Sequence, residues 1–148
     1  TNDAPSTISR MLNMGIEPFL VTASVNVVVA QRLARKLCVE CKRPVQVEDE
    51  ALLDLGIPPE EIGTFEVNEP VGCRTCNDLG AKGRVAMYEV MLLTDPLKEL
   101  VINGASTAEL KMEAIRLGMQ TLRMAALNKL KEGVVGIDEV VGNTAPDN

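Results

Sequence analysis

The chain contains no histidine and no tryptophan, and only one tyrosine and two phenylalanines among its 148 residues. Without histidine there is no Ser-His-Asp or Cys-His constellation and no imidazole general base. With so few aromatic rings the core must be aliphatic, and the Leu, Val, Ile, Met and Ala content favours helices over an all-β sandwich. Lysine and arginine are missing from Pro44 to Gly72, a stretch that carries Glu48, Asp49, Glu50, Asp54, Glu60, Glu61, Glu66 and Glu69. The formal net charge of −6 leaves no general phosphate-neutralising surface, which argues against a nucleic-acid partner. The acidic stretch reads as the solvated face of an inserted lobe, with a docking surface for a basic partner as the alternative. No run is long and apolar enough to span a bilayer. Phe19 to Ala30 comes nearest, but it is short and broken by Thr22, Ser24 and Asn26. There is no G-x-x-x-x-G-K-[S/T] loop to cradle phosphates. The neighbouring acids Glu60-Glu61 and Asp138-Glu139 would point apart on a helix, so no catalytic residue and no cofactor-binding residue is assigned.

What the chain does have is four cysteines in two equal pairs, Cys38-Val39-Glu40-Cys41 and Cys73-Arg74-Thr75-Cys76. Two residues between thiolates let one tight turn present both sulfurs to a single ion about 2.3 Å away, so the paired C-x-x-C pattern points to a structural zinc held by Cys38, Cys41, Cys73 and Cys76. Two disulfides, or four unrelated buried thiols, are the alternatives, although disulfides are rare in the cytosol. A four-thiolate site is closed to water and substrate, which makes its role structural. The pairs lie farther apart than in a bare zinc ribbon, so something is expected to fold between them. Cations gather around them, with Arg32, Arg35, Lys36, Lys42 and Arg43 at the first pair and Arg74, Lys82 and Arg84 at the second, and nearby cations favour the thiolate.

Along the chain, a first helix presents Ile8, Met11 and Leu12 and stops at Gly15. Pro18 then opens a second element whose length, Phe19 to Leu37, predicts a buried helix in place of the strand its valines would also allow. Asp49 to Leu55 reads as a short helix stopped by Gly56, Thr64 to Val67 as a short strand, and Arg84 to Leu93 as a longer one. The last third is predicted helical. Asp95 caps the first of these helices, Ser106-Thr107-Ala108-Glu109 forms a capping box, a third helix covers Thr121 to Glu132 and a short one Ile137 to Val141. The tail from Gly142 to Asn148 is expected to fray. The opening residues carry no start methionine and run straight into helix, as in a piece of something longer.

The stretch Thr1-Asn2-Asp3-Ala4-Pro5-Ser6-Thr7, then Arg10 to Leu20, and then Ala30-Gln31-Arg32-Leu33-Ala34-Arg35-Lys36-Leu37-Cys38 resembles the secretion ATPase family, whose members power type IV pilus assembly and type II secretion. The likeness continues through the second cysteine pair into Lys82-Gly83-Arg84-Val85-Ala86-Met87-Tyr88-Glu89-Val90, and through Leu110-Lys111 and Ala114 to Met119 as far as Glu132-Gly133. It implies the C-terminal fragment of an α/β P-loop NTPase of the RecA-like kind, mostly α, with a small tetracysteine zinc module containing short β-strands. Residues 1–37 would be the terminal helices of the ATPase core, 38–93 the tetracysteine module and 94–148 a C-terminal helical subdomain. The implied parent is a hexameric cytoplasmic motor, peripheral at the inner membrane, that binds ATP and Mg²⁺ through upstream motifs and acts on an inner-membrane platform protein to add pilin subunits. Without the phosphate-binding loop the fragment is expected to be inactive alone. Overall similarity favours pilus assembly over type II secretion, and the cysteines favour assembly over retraction motors, which lack the insert. A non-enzymatic zinc-stapled adaptor is the remaining alternative. Two departures from the family pattern stand near the end: Gly136 replaces a Ser or Thr cap, and Gly142-Asn143-Thr144 stands where an Arg is common. Arg32 and Arg35 would either reach a nucleotide or a neighbouring subunit, or support the zinc module.

Overall fold

The computed structural model describes residues 3–147; Thr1 and Asn2, which open the family-like stretch, and Asn148, at the end of the tail, lie outside the described residues. The described residues form an α/β arrangement of two compact units. Of the described residues, one unit takes those up to Gln31 together with Tyr88–Thr121, the other Arg32–Met87 with those from Leu122 onward.

In the first unit, helix α1 (Ala4–Asn13) starts where Asp3 Oδ1 accepts the Ser6 N–H at 2.8 Å, with proline in the first turn. Helix α2 (Pro18–Ser24) opens on Pro18 and ends at Val25, whose backbone is extended. The predicted long helix therefore stops at Ser24, and strand β1 occupies Val27–Leu37. The β-branched run Val27-Val28-Val29 decides this, because such side chains lose χ1 freedom in a helix and pack well on a pleated surface. Burial then follows the strand period of two, with Val28, Ala30 and Ala34 inward. One apolar run here spans two elements, so its length does not mark a single helix.

Strand β4 (Ala81–Leu92) pairs with β1. Leu93 N–H donates to Asn26 O at 2.9 Å and Cys38 N–H to Gly80 O at 3.0 Å, so the strands are antiparallel. The strand begins three residues earlier than the expected Arg84, at Ala81. Helix α4 (Asp95–Ile102) has Thr94, not Asp95, at its N-cap, with no side-chain cap bond. Helix α5 (Thr107–Arg116) has the expected capping box in full, Ser106 and Glu109 each accepting the other's backbone N–H at 3.2 Å. Ala4, Ile8, Val21, Val28, Met91, Leu93, Leu97, Val101, Leu110, Ala114 and Met119 form one continuous core. Each large side chain there contributes about 1.5–3 kcal/mol by burial.

In the second unit, strand β2 (Arg43–Val45) pairs antiparallel with β3 (Val67–Glu69) in the register Arg43↔Glu69 and Val45↔Val67. Helix α3 (Asp49–Leu55) and a single 3₁₀ turn at Pro59–Glu61 lie between them. Gly56 ends α3 with φ of 114°, a left-handed conformation that side chains rarely adopt. Helix α6 (Leu122–Lys131) buries Leu122, Ala126, Leu127 and Leu130, and packs with helix α7 (Ile137–Asn143). Gly136 is the α7 N-cap without a side-chain bond, as its lack of a hydroxyl requires. The tail is not free from Gly142 as expected. Thr144 Oγ1 donates to Val140 O at 2.6 Å, and the buried Arg123 donates to Thr144 Oγ1 and O and to Leu55 O at 2.7, 2.8 and 3.2 Å. One guanidinium thus joins α6, the end of α3 and the chain after α7.

Candidate metal centre

The four cysteines converge within the second unit. Cys38 follows directly on β1, and its C-x-x-C turn closes when Cys41 and Lys42 N–H donate to Cys38 O at 3.3 and 3.0 Å. The second pair lies on the loop before β4, where Asp78 N–H donates to Cys73 O at 2.8 Å and Leu79 N–H to Cys76 O at 3.1 Å. Asn77 and Asp78 take positive φ of 55° and 62°, which these two residue types tolerate better than most.

All four sulfurs lie within 4.8 Å of one another. The Sγ separations are 3.7 Å for Cys38–Cys73, 3.8 Å for Cys41–Cys76 and 3.7 Å for Cys73–Cys76. Four sulfurs placed tetrahedrally at about 2.3 Å from one ion stand about 3.8 Å apart, so the set has the size a tetrahedral soft-metal site requires. All four are free thiols, and their sulfurs converge on one point where they could hold a metal ion.

Backbone amides aim at this cluster. Gly72 N–H donates to Cys41 Sγ at 3.3 Å, and Cys73 and Gly80 N–H donate to Cys76 Sγ at 3.3 and 3.2 Å. Burial works against a charge on Cys76, but the Gly80 and Cys73 donors and the neighbouring thiols outweigh it and bring that thiol down to about 6. Burial, with neighbouring thiols, pushes Cys41 up to about 11 despite the Gly72 donor. The sequence attributed thiolate stabilisation to the surrounding cations. At Cys76 it is N–H groups that lower the thiol, while Lys42 Nζ donates to Gly133 O at 2.9 Å and Arg43 Nε to Glu69 at 2.7 Å. Arg35 is exposed and its backbone N–H donates to Glu139 Oε2 at 3.1 Å.

The glycines flanking the second pair, Gly72 and Gly80, were not among the residues singled out from the sequence. Gly80, at φ 76°, would place a Cβ 2.5 Å from Pro70 Cβ, and Gly72, at φ 109°, one 3.1 Å from Asp78 O. Their spacing was the available signal: one glycine sits just before Cys73 and the other four residues after Cys76. Of the acidic stretch, Glu61 pairs with Lys131 and Glu69 with Arg43, each at 2.7 Å, while Glu48, Asp49, Glu50, Asp54, Glu60 and Glu66 are exposed. No helix of the described residues is long and apolar enough to cross a membrane.

The model of the family described as "Type II/IV secretion system protein" matches residues 1–142. The chain belongs to that family. Among its relatives, a type IV pilus assembly ATPase PilB of Myxococcus xanthus is 66% identical over 148 residues, covering 99% of this chain and 26% of that protein. PilB of Pseudomonas aeruginosa is 42% identical, over 95% of this chain and 25% of its own length. A type II secretion system protein E of Aeromonas hydrophila is 34% identical, over 99% of this chain and 29% of its own length. The chain thus spans about a quarter of these family members.

Proposed function

We propose that the chain is the C-terminal part of a hexameric ATPase that powers type IV pilus assembly at the cytoplasmic face of the inner membrane. The single observation that carries this reading is the 66% identity to a pilus assembly ATPase across the whole chain, against 34% to a type II secretion protein of comparable coverage. In this reading residues 1–37 close the RecA-like core, 38–93 form the tetracysteine module and 94–148 the C-terminal subdomain. ATP and Mg²⁺ act at phosphate-binding and acidic motifs outside this chain, and the motor drives an inner-membrane platform protein that incorporates pilin. One Zn²⁺ is held by Cys38, Cys41, Cys73 and Cys76. The closed set of sulfurs gives it no open position for a substrate, so it clamps the loop before β4 to the end of β1.

The test compares the full-length polypeptide with residues 1–148, both gently purified. Mg²⁺-dependent ATP turnover belongs to the full-length protein and not to this chain, and elemental analysis finds one zinc per chain. Saturable turnover by residues 1–148 alone would overturn the assignment of chemistry to upstream motifs. Deleting the gene should remove surface pili; loss of an exported enzyme with pili intact would instead favour the type II secretion reading, which the relatives of that name support.

A further inference from the structure

The four clustered sulfurs are not equivalent. Backbone N–H groups donate to two of them, Gly72 to Cys41, and Cys73 and Gly80 to Cys76. Among the described residues no N–H donates to the sulfur of Cys38 or Cys73, which lie against other sulfurs instead. Access differs as well. Cys38 and Cys76 are buried, whereas Cys41 and Cys73 are only half-buried. With a metal bound all four are thiolates, so protonation does not rank them. An N–H that donates to a thiolate draws electron density from its lone pair, and oxidation follows thiolate character together with exposure. Of the four, only Cys73 combines access with a sulfur that no N–H restrains. A partner thiol stands beside it: Cys38 Sγ, likewise without a donor and from the other C-x-x-C turn, is 3.7 Å away. Cys76 Sγ is as near at 3.7 Å, but it already accepts the N–H groups of Cys73 and Gly80.

We propose that Cys73 is a site of oxidative modification by hydroperoxides, with Cys38 as its partner thiol, and that this oxidation opens the metal clamp. The proposal rests on the reading of the four cysteines as a zinc site. The Cys73 thiolate attacks one oxygen of hydrogen peroxide and breaks the O–O bond; the sulfur becomes a sulfenic acid and the second oxygen leaves as hydroxide. The Cys38 thiolate then attacks the Cys73 sulfur, forming an S–S bond of about 2 Å and expelling a second hydroxide. Each sulfur gives up one electron, and the peroxide takes both. Cys41 and Cys76 keep their thiolates, two in place of the four that a structural site needs, so the ion is lost. A dithiol reductant returns the two electrons by exchange and restores the set.

The test titrates the full-length protein with hydrogen peroxide, following released zinc with a chromogenic chelator and the thiols by mass spectrometry. Trypsin cuts after Arg74, which puts Cys73 and Cys76 on different peptides, and fragmentation separates Cys38 from Cys41. One zinc per chain should fall to none in step with a Cys38–Cys73 disulfide, and dimedone should trap the sulfenic acid on Cys73. Both should occur at peroxide levels that leave Met14 and Met112, 72% and 63% exposed, unoxidised. Dithiothreitol with added zinc should restore one zinc per chain. Methionine sulfoxide ahead of any thiol product overturns the proposal, as does a first disulfide other than Cys38–Cys73. A protein that holds one zinc and keeps it under peroxide also overturns the proposal, and leaves the zinc reading standing. A protein without zinc before oxidation removes the zinc reading and the proposal with it.

Discussion

The two units are stabilised by different means. The first has a continuous aliphatic core fed by two strands and four helices. The second distributes its buried apolar residues around polar junctions: four clustered thiols, Lys42 on the Gly133 carbonyl, and Arg123 on Thr144 and Leu55. An aliphatic core tolerates loss of one member at a limited cost, whereas a metal junction is all-or-none because its free energy is folding free energy. The difference predicts which perturbations stay local.

The largest expected effect comes from the metal. Chelation, or Cys38→Ser, should abolish hydrogen-exchange protection in the second unit, since structural zinc sites contribute on the order of 10 kcal/mol of apparent binding free energy. Because α6 and α7 belong to that unit, their protection should fall with that of β2 and β3, while α1, α4 and α5 retain theirs. Acid should act in the same direction, since protons compete with the metal for thiolates. Equal loss throughout the chain would erase the contrast.

Next comes Leu97→Ala in the first unit. Leu97 is 1% exposed within the continuous core, so the substitution should cost about 2–5 kcal/mol, read as a lower denaturation midpoint. Metal content should remain one per chain. Loss of metal on this substitution would show that the two means of stabilisation are coupled.

A smaller effect is expected at Gly80→Ala. The new Cβ would meet Pro70 Cβ at 2.5 Å in a backbone of φ 76°, disturbing the N–H that donates to Cys76 Sγ. Supporting groups of this kind change metal affinity by roughly 10–100-fold. Competition with a chelating dye reads this directly. Unchanged affinity would mean that the amide donors do not tune the thiolates.

How much of this could be read from the sequence depended on whether a signal was local. The cysteine pairs, the Ser106 capping box and the α3 stop at Gly56 are defined within a few residues, and each was legible. The α2–β1 boundary was not, because a continuous apolar run fits a buried helix or a buried strand until a neighbouring strand is present to pair with it. The early start of β4, at Ala81 in place of Arg84, was hidden for the same reason. Arg123 carried no signal in the sequence and Lys42 read only as a cation beside the first cysteine pair, since their carbonyl partners Leu55 and Gly133 lie far away in sequence.

The smallest effect tests whether surface charge adds to the first unit's stability. On α5, Arg116 donates to Glu113 and holds its carboxyl below the ordinary value, through the hydrogen bond first and opposed by some desolvation. A lowered carboxyl contributes stability above its ordinary titration range and loses it as pH falls through the lowered value. Arg116→Ala should therefore return the Glu113 titration, followed by carboxyl NMR, to the ordinary range. The Arg116 side chain is 68% exposed, so solvent and salt screen the pair. The denaturation midpoint at neutral pH should accordingly stay where it was, in contrast to the drop expected for Leu97→Ala. A comparable drop in both variants would mean that charge, and not only the aliphatic core, holds this unit together, and the contrast with the four-cysteine unit would have to be redrawn.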